Sequence, residues 1–392
     1  MRDEDSCHLA ASGEPKRIWS HSGSDGGAVE RGLSAESTPG TKRHEDMFGI
    51  CMSVGSVNKL RQEASAAVAG CVDEAKQYVQ QQPIVGADET SFNQGNIDGG
   101  NPKQRQAWLW VAVTPLVVLF EIGLTRCTQA AQNLLGEKFG GMLNSDRHRA
   151  YNWVDLGRRQ LCWAHLRREF IKISERSGVS QELGTALVKA QEQLFELWHR
   201  VRDRTLTRAD FIPLAGGIRL QIPATLQAAA DYQIGHREQT PVAKTVRTCR
   251  QLLKVEPAMW LFVTTAGVEP TNNAAERAIR PAVIWRRTSF GCQTQAGSAF
   301  VARMLSVVAT LKSQQRYVLD FLTPAVVAAR AGQPVPSLLP AVPNKKLGHA
   351  ATSRVLRALD TQRKIPVDGL SLHVWVPCNP PSSNAPDLLT AA

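Results

Sequence analysis

Apolar residues in the middle of the chain recur at spacings that separate strands from helices. Residues 53–81 carry apolar positions at helical spacing. The runs A-W-L-W-V-A-V and L-V-V-L-F-E-I are strand-like and are separated by T-P, which predicts a β-hairpin. Two shorter apolar runs, I-V-G-A-D-E-T and G-M-L-N-S-D, predict strands that end in acidic residues.

Helical segments alternate with these strands. C-T-Q-A-A-Q-N-L-L-G-E-K-F-G-G predicts a helix closed by glycines, and Q-L-C-W-A-H-L predicts a strand that leads into a helix. A single apolar stripe then predicts a long helix, with the positions Leu183, Leu187, Ala190, Leu194, Leu197 and Val201. So short a stripe is more often a core face than an oligomer seam, so we expect it to lie inside a helical block. A strongly apolar helix, A-F-V-A-R-M-L-S-V-V-A-T-L-K, follows later.

The two ends of the chain differ in composition from the middle. Residues 1–46 are rich in Gly, Ser and charge and lack apolar periodicity, so we expect them to be disordered. Residues 332–392 are rich in Pro and predict a flexible tail. Between the two ends we predict a helical lead-in over 47–82, a first sheet-forming part over 83–171, a helical block over 172–268 and closing helices over 269–331.

The net charge of the chain favours certain classes of binding partner. Lys and Arg number 46 against 35 Asp and Glu, a net charge of +11, which fits either a polyanion partner such as DNA or a generally basic surface. The longest apolar stretch is broken by Pro115 and Glu121, so we expect no membrane partner. The N-terminus is polar, and the eight cysteines form no C-x-x-C pair, which favours a cytoplasmic protein.

Three carboxylates stand where predicted elements meet polar turns: Asp88, Asp146 and Glu276. In α/β folds ligands bind beyond the strand ends, so the strand order can bring these side chains to one edge of a sheet. Converging carboxylates suit Mg²⁺, and two such ions about 4 Å apart can activate a water or a 3′-hydroxyl for phosphodiester chemistry.

Each carboxylate also has a structural interpretation. Glu89 is as good a candidate as Asp88, but neighbours on a strand face opposite sides, so only one of them should face the site. Asp146 fits a turn or a helix N-cap. Glu276 fits a capping box with Asn273 as the N-cap, or an ion pair with Arg280 one turn later.

Four motifs in order along the chain resemble the transposases of the IS66 insertion-sequence family. They are A-D-E-T at 87–90, S-D-R-H-R-A-Y at 145–151, C-W-A-H-L-R-R-E-F at 162–170 and N-N-A-A-E-R-A-I-R-P at 272–281. The last motif is the most specific, and the resemblance covers about 47–325. It implies a DDE transposase with an RNase H-like catalytic core, and it places the catalytic and metal-binding carboxylates at Asp88, Asp146 and Glu276.

The resemblance also implies the cofactor and the arrangement of the domains. The expected cofactor is a pair of Mg²⁺ ions, with Mn²⁺ as a substitute, and Asp88 is expected to bridge the two ions. The fold class is then α/β, with a helical insertion domain between Asp146 and Glu276 that coincides with the helical block predicted from the spacing. DNA is the expected partner, both element ends and target. The protein is expected to act as a homo-oligomer in the nucleoid, with accessory proteins of the element.

The pair Cys162 and His165 forms a C-x-x-H signature after the second aspartate. Zinc is one interpretation, but two ligands do not complete a site. We therefore favour a buried structural Cys and a hydrogen-bonded His.

Paired arginines near these motifs are candidates for DNA phosphates: Arg158, Arg159, Arg167, Arg168, Arg286 and Arg287. Aromatic residues beside them, Trp163, Phe170, Trp285 and Phe290, are expected to be mostly core. We expect DNA affinity to fall steeply with salt.

Full-length relatives carry a Cys-based zinc finger before the first aspartate, and no such cluster is recognisable here. This leaves two rivals to a DNA-cleaving and strand-transferring transposase. One is a truncated or domesticated remnant that binds DNA without catalysis, and the other is a metal-dependent nuclease of the same fold.

Overall fold

The computed structural model describes residues 49–339. The chain divides into two compact units, Met1–Val57 and Asn58–Ala392, and the architecture below is that of the second unit. The predicted disordered segment over 1–46 and most of the predicted tail lie outside the described residues.

Eleven α-helices and five strands are described within 49–339. The strands are β1 (Ile84–Phe92), β2 (Ala107–Val113), β3 (Val118–Gly123), β4 (Met142–Ser145) and β5 (Arg159–Leu161). The helices are α1 (Val54–Ala67), α2 (Ala69–Gln80), α3 (Thr128–Leu135), α4 (Trp163–Ser174), α5 (Val179–Arg202), α6 (Arg208–Ala230), α7 (Pro241–Lys254), α8 (Leu261–Thr264), α9 (Asn273–Ser289), α10 (Gln295–Ser313) and α11 (Val318–Arg330).

The five strands form one mixed sheet in the order β3-β2-β1-β4-β5. β1, β2 and β3 are antiparallel neighbours, whereas β4 lies parallel to β1 and β5 lies parallel to β4. The predicted hairpin is confirmed as β2 and β3, because the T-P break falls between two alternating runs. The predicted α/β fold class is likewise confirmed.

The first strand differs from its prediction. β1 does not end at its acidic residues but continues to Phe92, pairing with β2 through the register Asp88↔Val111 to Phe92↔Ala107. Thr90 and Ser91 are polar, but they are compatible with a strand because β2 supplies hydrogen bonds to their backbone groups. β4, in contrast, ends at Ser145, so Asp146 follows the strand as predicted.

Both faces of the sheet are covered. On β2, Leu109 and Val111 belong to a buried cluster with α9 and α10, while Trp110 and Ala112 belong to another with α2 and α3. This alternation follows the two-residue period of a strand. One sheet therefore separates two apolar layers.

The helical block over 172–268 forms its own core from α4 to α8. Leu187, Ala190 and Leu194 of the predicted stripe are buried in α5, packed with Phe211 and other residues. The stripe therefore faces the core of the block, as expected. At the other end of the described chain, Leu338 is buried against the sheet layer, so the first residues of the predicted tail pack on the core.

Within residues 49–339, none of the helices combines the length and the apolar character needed to cross a bilayer.

Candidate active site

β1 presents two adjacent carboxylates to opposite faces of the sheet. Glu89 is buried on the face of α2 and α3, where both of its oxygens are bonded. Arg126 donates to Oε1 from Nε at 2.9 Å and from a terminal nitrogen at 2.7 Å, and the Tyr151 hydroxyl donates to Oε2. Asp88 points to the face covered by α9, and its Oδ1 accepts a backbone bond from Glu89 at 2.9 Å. Only Asp88 is therefore available to a site on that face.

Asp146 follows β4, the parallel neighbour of β1, and its charge acts on Asp88. The last pair of the ladder is Gly86↔Asn144, two residues before both aspartates. The loop that carries Asp146 is fixed from inside. His148 donates its backbone N–H to Asp146 Oδ1 at 2.8 Å, and the guanidinium of Arg159 donates to the Asp146 carbonyl at 2.8 Å.

The segment before α9 is tied to both β4 and α4. Asn144 donates from Nδ2 to the carbonyls of Glu269 at 2.7 Å and Thr271 at 3.1 Å. The first residue of α4, Trp163, donates its backbone N–H to the carbonyl of Pro270 at 2.9 Å. These bonds set the start of α9 against the end of β4.

Asn272, rather than Asn273, is the N-cap of α9, so the predicted cap is wrong by one residue. Its side chain does not bond to the helix: Nδ2 donates to the carbonyl of Ala87 on β1 at 2.7 Å. Its backbone N–H donates to Cys162 Sγ at 3.2 Å. Gly86 makes room, since a Cβ at Gly86 would lie 3.1 Å from Asn272 Oδ1. Tertiary contact with β1 therefore replaces local capping.

Glu276 projects from the first turn of α9 toward α4. Because the N-cap is Asn272, Glu276 stands one position beyond the place that a capping box requires. Its Oε1 lies 3.6 Å from His165 Nδ1 and 3.9 Å from the guanidinium of Arg168. An ion pair with Arg280 is absent from the described structure, so neither structural interpretation of Glu276 holds.

The charges of Asp146 and Glu276 act on Asp88. Burial, followed by the charges of Glu89, Asp146 and Glu276, raises the pKa of Asp88 to about 7. Burial also raises the pKa of Glu89, outweighing the bonds from Tyr151 and Arg126. Asp146 and Glu276, from β4 and α9, thus both lie close enough to Asp88 to oppose its ionisation.

Two buried atoms beside this group have no hydrogen-bond partner among the described residues. They are His165 Nδ1 and Glu276 Oε1, which face each other. Burial, with Arg168 as the next cause, lowers the pKa of His165, so the imidazole is neutral at pH 7 and forms no ion pair with Glu276. We predicted a hydrogen bond for His165, and its Nδ1 atom makes none among the described residues. A cation at this position would satisfy both atoms.

Ligand atoms of Cys162, His165 and Glu276 lie within 4.8 Å of one another, a set with the sulfur and nitrogen donors that Zn²⁺ accepts. Within residues 49–339 this is the one group of three such side chains with its ligand atoms so close together, and Asp88 and Asp146 do not form such a group with Glu276. Asp88, Asp146 and Glu276 offer only carboxylate oxygens, which suit Mg²⁺ or Mn²⁺. The residues around Glu276 therefore fit a divalent cation.

The six predicted DNA-binding arginines differ in availability. Arg159 is 1 % exposed, and its bonds to Ser145, Asn152 and the Asp146 loop hold it inside the protein, so its predicted phosphate contact is wrong. Arg286 is half-buried and donates to the hydroxyls of Thr90 and Ser91 on β1. The remaining four, Arg158, Arg167, Arg168 and Arg287, are exposed.

Sequence spacing missed the residues that position the site. Arg126 and Tyr151 fix β1 through Glu89, while Asn144 and Asn272 fix α9. The doubled Asn in T-N-N-A-A-E-R was the one available signal, since a second asparagine is not needed for a cap.

The chain is similar to one protein family and to a curated protein. The sequence profile of the IS66 transposase family matches residues 41–299. A curated protein from Sinorhizobium fredii (strain NBRC 101917 / NGR234), the uncharacterized protein y4qI, is 27 % identical over 272 residues, which is 63 % of this chain and 48 % of that protein. The chain thus spans about half the length of this relative.

The fold is α/β, with a mixed five-strand sheet and helices on both of its faces. The chain belongs to the IS66 family of transposases.

Proposed function

We propose that this chain cleaves DNA at the ends of an insertion sequence and joins the freed 3′-hydroxyl to target DNA, as a DDE transposase. The observation that supports the proposal is that Asp88 in β1, Asp146 after β4 and Glu276 in α9 stand on elements that bond to one another: Asn272 at the start of α9 donates to β1, and Asn144 of β4 donates to the segment before α9. Burial and the charges of Glu89, Asp146 and Glu276 raise the pKa of Asp88 to about 7, which supports a cation-binding role. A net charge of +11 supports a polyanionic substrate.

We infer that the sheet belongs to an RNase H-like core. Three antiparallel strands followed by two parallel ones, in the order β3-β2-β1-β4-β5, support this assignment, as does the position of Asp88 on the central strand. The helices α5 to α8, which share an apolar core with α4 and with Leu161 of β5, enter between Asp146 and Glu276 and would be the insertion domain.

Asp88, Asp146 and Glu276 would hold two Mg²⁺ ions. Bound there, the ions supply Lewis-acid activation of a water or 3′-hydroxyl and stabilise the leaving oxygen. The chain itself contributes rigidity. Asn272 ties the start of α9, the helix of Glu276, to β1, and Arg159 holds the loop of Asp146.

Arg168 contributes charge at the same place. Its guanidinium lies 3.9 Å from Glu276 Oε1 and is exposed on α4, so it can face a phosphate while it offsets the carboxylate. Arg158, Arg167 and Arg287 would bind phosphates further from the site. Multimers on paired ends, accessory proteins and a place in the nucleoid belong to the same proposal.

The test is a strand-transfer assay with the full chain in Mg²⁺. Its substrates are labelled duplexes that end in a 3′-hydroxyl and carry the sequences flanking the coding region, with a supercoiled plasmid as target. We expect joined product from the wild type and a loss of about 10³-fold or more in Glu276→Gln.

Glu182→Gln is the matched control, since Glu182 is an exposed carboxylate in the first turn of α5. It should join DNA at the wild-type rate. Cleavage without joining would replace the proposal with a nuclease, and DNA binding without either reaction would replace it with a remnant.

A further inference from the structure

The outer face of α9 carries a line of exposed residues that the proposed chemistry does not use. They follow one another at spacings of four and three residues, so they lie on one side of the helix. The members are Asn273, Arg277, Arg280, Ile284 and Arg287. We call this line the α9 stripe.

The arginines of the α9 stripe have no counter-charge in the described structure. Neither a hydrogen bond nor an ion pair within residues 49–339 involves the side chain of Arg277, Arg280 or Arg287. Some exposed arginines elsewhere do pair with acids, as Arg330 does with Glu63 at 2.6 Å, while others such as Arg219 on α6 stand singly among the described residues. Three uncompensated guanidinium groups on one helix face favour an anionic partner along that face.

The α9 stripe begins beside the carboxylates. Ala275, Ile279 and Ala282 are buried against the sheet, which fixes the rotation of the helix. Glu276 stands between this inner face and the stripe, next in sequence to Arg277. From Arg277 to Arg287 the helix advances about 15 Å at 1.5 Å per residue, so the stripe leads directly away from the site.

An aromatic residue in an unusual conformation stands at the far end. Phe290 is 79 % exposed, and its φ is +60°, a left-handed conformation that usually belongs to glycine at a helix end. Gly291 follows it so closely against Asn93 that a Cβ there would lie 2.2 Å from the Asn93 carbonyl. This backbone holds the ring outside the core, against both the hydrophobic effect and the backbone preference.

We propose that the α9 stripe together with Phe290 binds one strand of DNA and leads it to the carboxylate site, with the arginines on phosphates and Phe290 stacked on an unpaired base. The inference rests on the proposed function only in taking DNA as the partner. It adds Arg277 and Arg280 to the DNA-binding residues and assigns a ligand to the exposed ring.

The first test measures binding of the full chain to a single-stranded oligonucleotide, dT20, in Ca²⁺ over a range of salt concentrations. Replacing Arg277, Arg280 and Arg287 by Gln should lower the slope of log affinity against log salt by about 2, at roughly 0.7 per phosphate contact. The matched control replaces three exposed basic residues away from α9, namely Lys138, Arg219 and Lys244, by Gln. It should keep the wild-type slope.

The second test separates stacking from folding with Phe290→Gly. Glycine accepts φ near +60°, so the midpoint of thermal unfolding should stay the same or rise. Affinity for dT20 should nevertheless fall on the order of tenfold, while affinity for an abasic strand of the same length should not change. Phe321→Ala, which removes a buried ring, provides the opposite pattern: a lower unfolding midpoint and an unchanged preference for bases.

Equal salt slopes in the two triple variants, or an unchanged preference of Phe290→Gly for dT20 over the abasic strand, would overturn the inference while leaving the carboxylate site intact. A wild type that binds neither oligonucleotide would also overturn the inference, and it would leave the proposed function to the joining assay. Joining by the wild type with its loss in Glu276→Gln reports on the proposed function alone.

Discussion

The two faces of β1 treat adjacent carboxylates in opposite ways. On one face Glu89 is enclosed, with Arg126 and Tyr151 bonded to its two oxygens. On the other face, burial raises the pKa of Asp88, and the charges of Glu89, Asp146 and Glu276 add to the effect. The same side-chain chemistry therefore serves to hold the strand on one side and to gather negative charge on the other.

The difference distinguishes a carboxylate that stabilises the fold, Glu89, from one proposed to act in catalysis, Asp88. A buried polar group stabilises a fold when its bonds are complete, and it destabilises the fold when like charges face it. The Glu89 face meets the first condition and the Asp88 face meets the second. Changes at Glu89 should therefore act on folding, and changes at Asp88 should act on catalysis.

The largest expected effect is on activity, at Asp88. Asp88→Asn keeps the shape of the side chain and removes its charge, so strand transfer should fall about 10³-fold or more. Without metal, the variant should unfold at the same or a higher temperature than the wild type, because repulsion from Asp146 and Glu276 is relieved. Thermal unfolding in EDTA, measured beside the assay, checks both halves; a clear drop in the unfolding temperature would contradict this division of roles.

Glu89 should give the converse result, a loss of stability. Glu89→Leu leaves the buried hydroxyl of Tyr151 without an acceptor and should lower the free energy of unfolding by about 2–3 kcal/mol. Glu89→Gln keeps an acceptor for Arg126 and removes the charge whose burial raises the pKa of Glu89, so it should lose less than half as much.

Urea denaturation measures both Glu89 variants. Glu63→Gln is the control, because Glu63 forms an exposed pair with Arg330 that is worth less than about 1 kcal/mol. Equal losses in the Leu and Gln variants would mean that charge, rather than the two bonds, sets the role of Glu89.

The smallest expected effect is the stabilisation of the wild type by Mg²⁺. At 10 mM Mg²⁺ and a dissociation constant of about 1 mM, binding to the folded state adds about 1.4 kcal/mol. The gain should vanish in Asp88→Asn and persist in Glu89→Gln, since only one face of β1 binds the ion. Differential scanning fluorimetry with and without Mg²⁺ measures the gain in stability. An equal gain in both variants would mean that Mg²⁺ does not bind at the Asp88 face.

Local spacing predicts most of the helices and strands of this fold. The hairpin of β2 and β3 and the stripe of α5 follow from two-residue and helical periods, because these periods reflect burial on one face. The position of Asp146 after β4 followed in the same way. β1 was predicted too short because its second half is polar and depends on pairing with β2, which no local pattern contains.

The site needed contacts between residues that are distant in sequence. Asn272 bonds to Ala87 on β1, and that contact moved the N-cap away from Asn273. Arg159 looked like half of a surface pair, yet the loop of Asp146 requires its guanidinium inside the protein. The motifs that resemble the family placed the carboxylates, whereas the bonds that support them became visible only in three dimensions.

The most direct measurement for the metal centre is anomalous diffraction from crystals of the full chain soaked in Mn²⁺. The account predicts an anomalous peak bound by carboxylate oxygens of Asp88 and Asp146, at metal–oxygen distances of about 2.2 Å, with Glu276 on the same site. A peak held by Cys162 and His165, with no density beside Asp88 and Asp146, would contradict it.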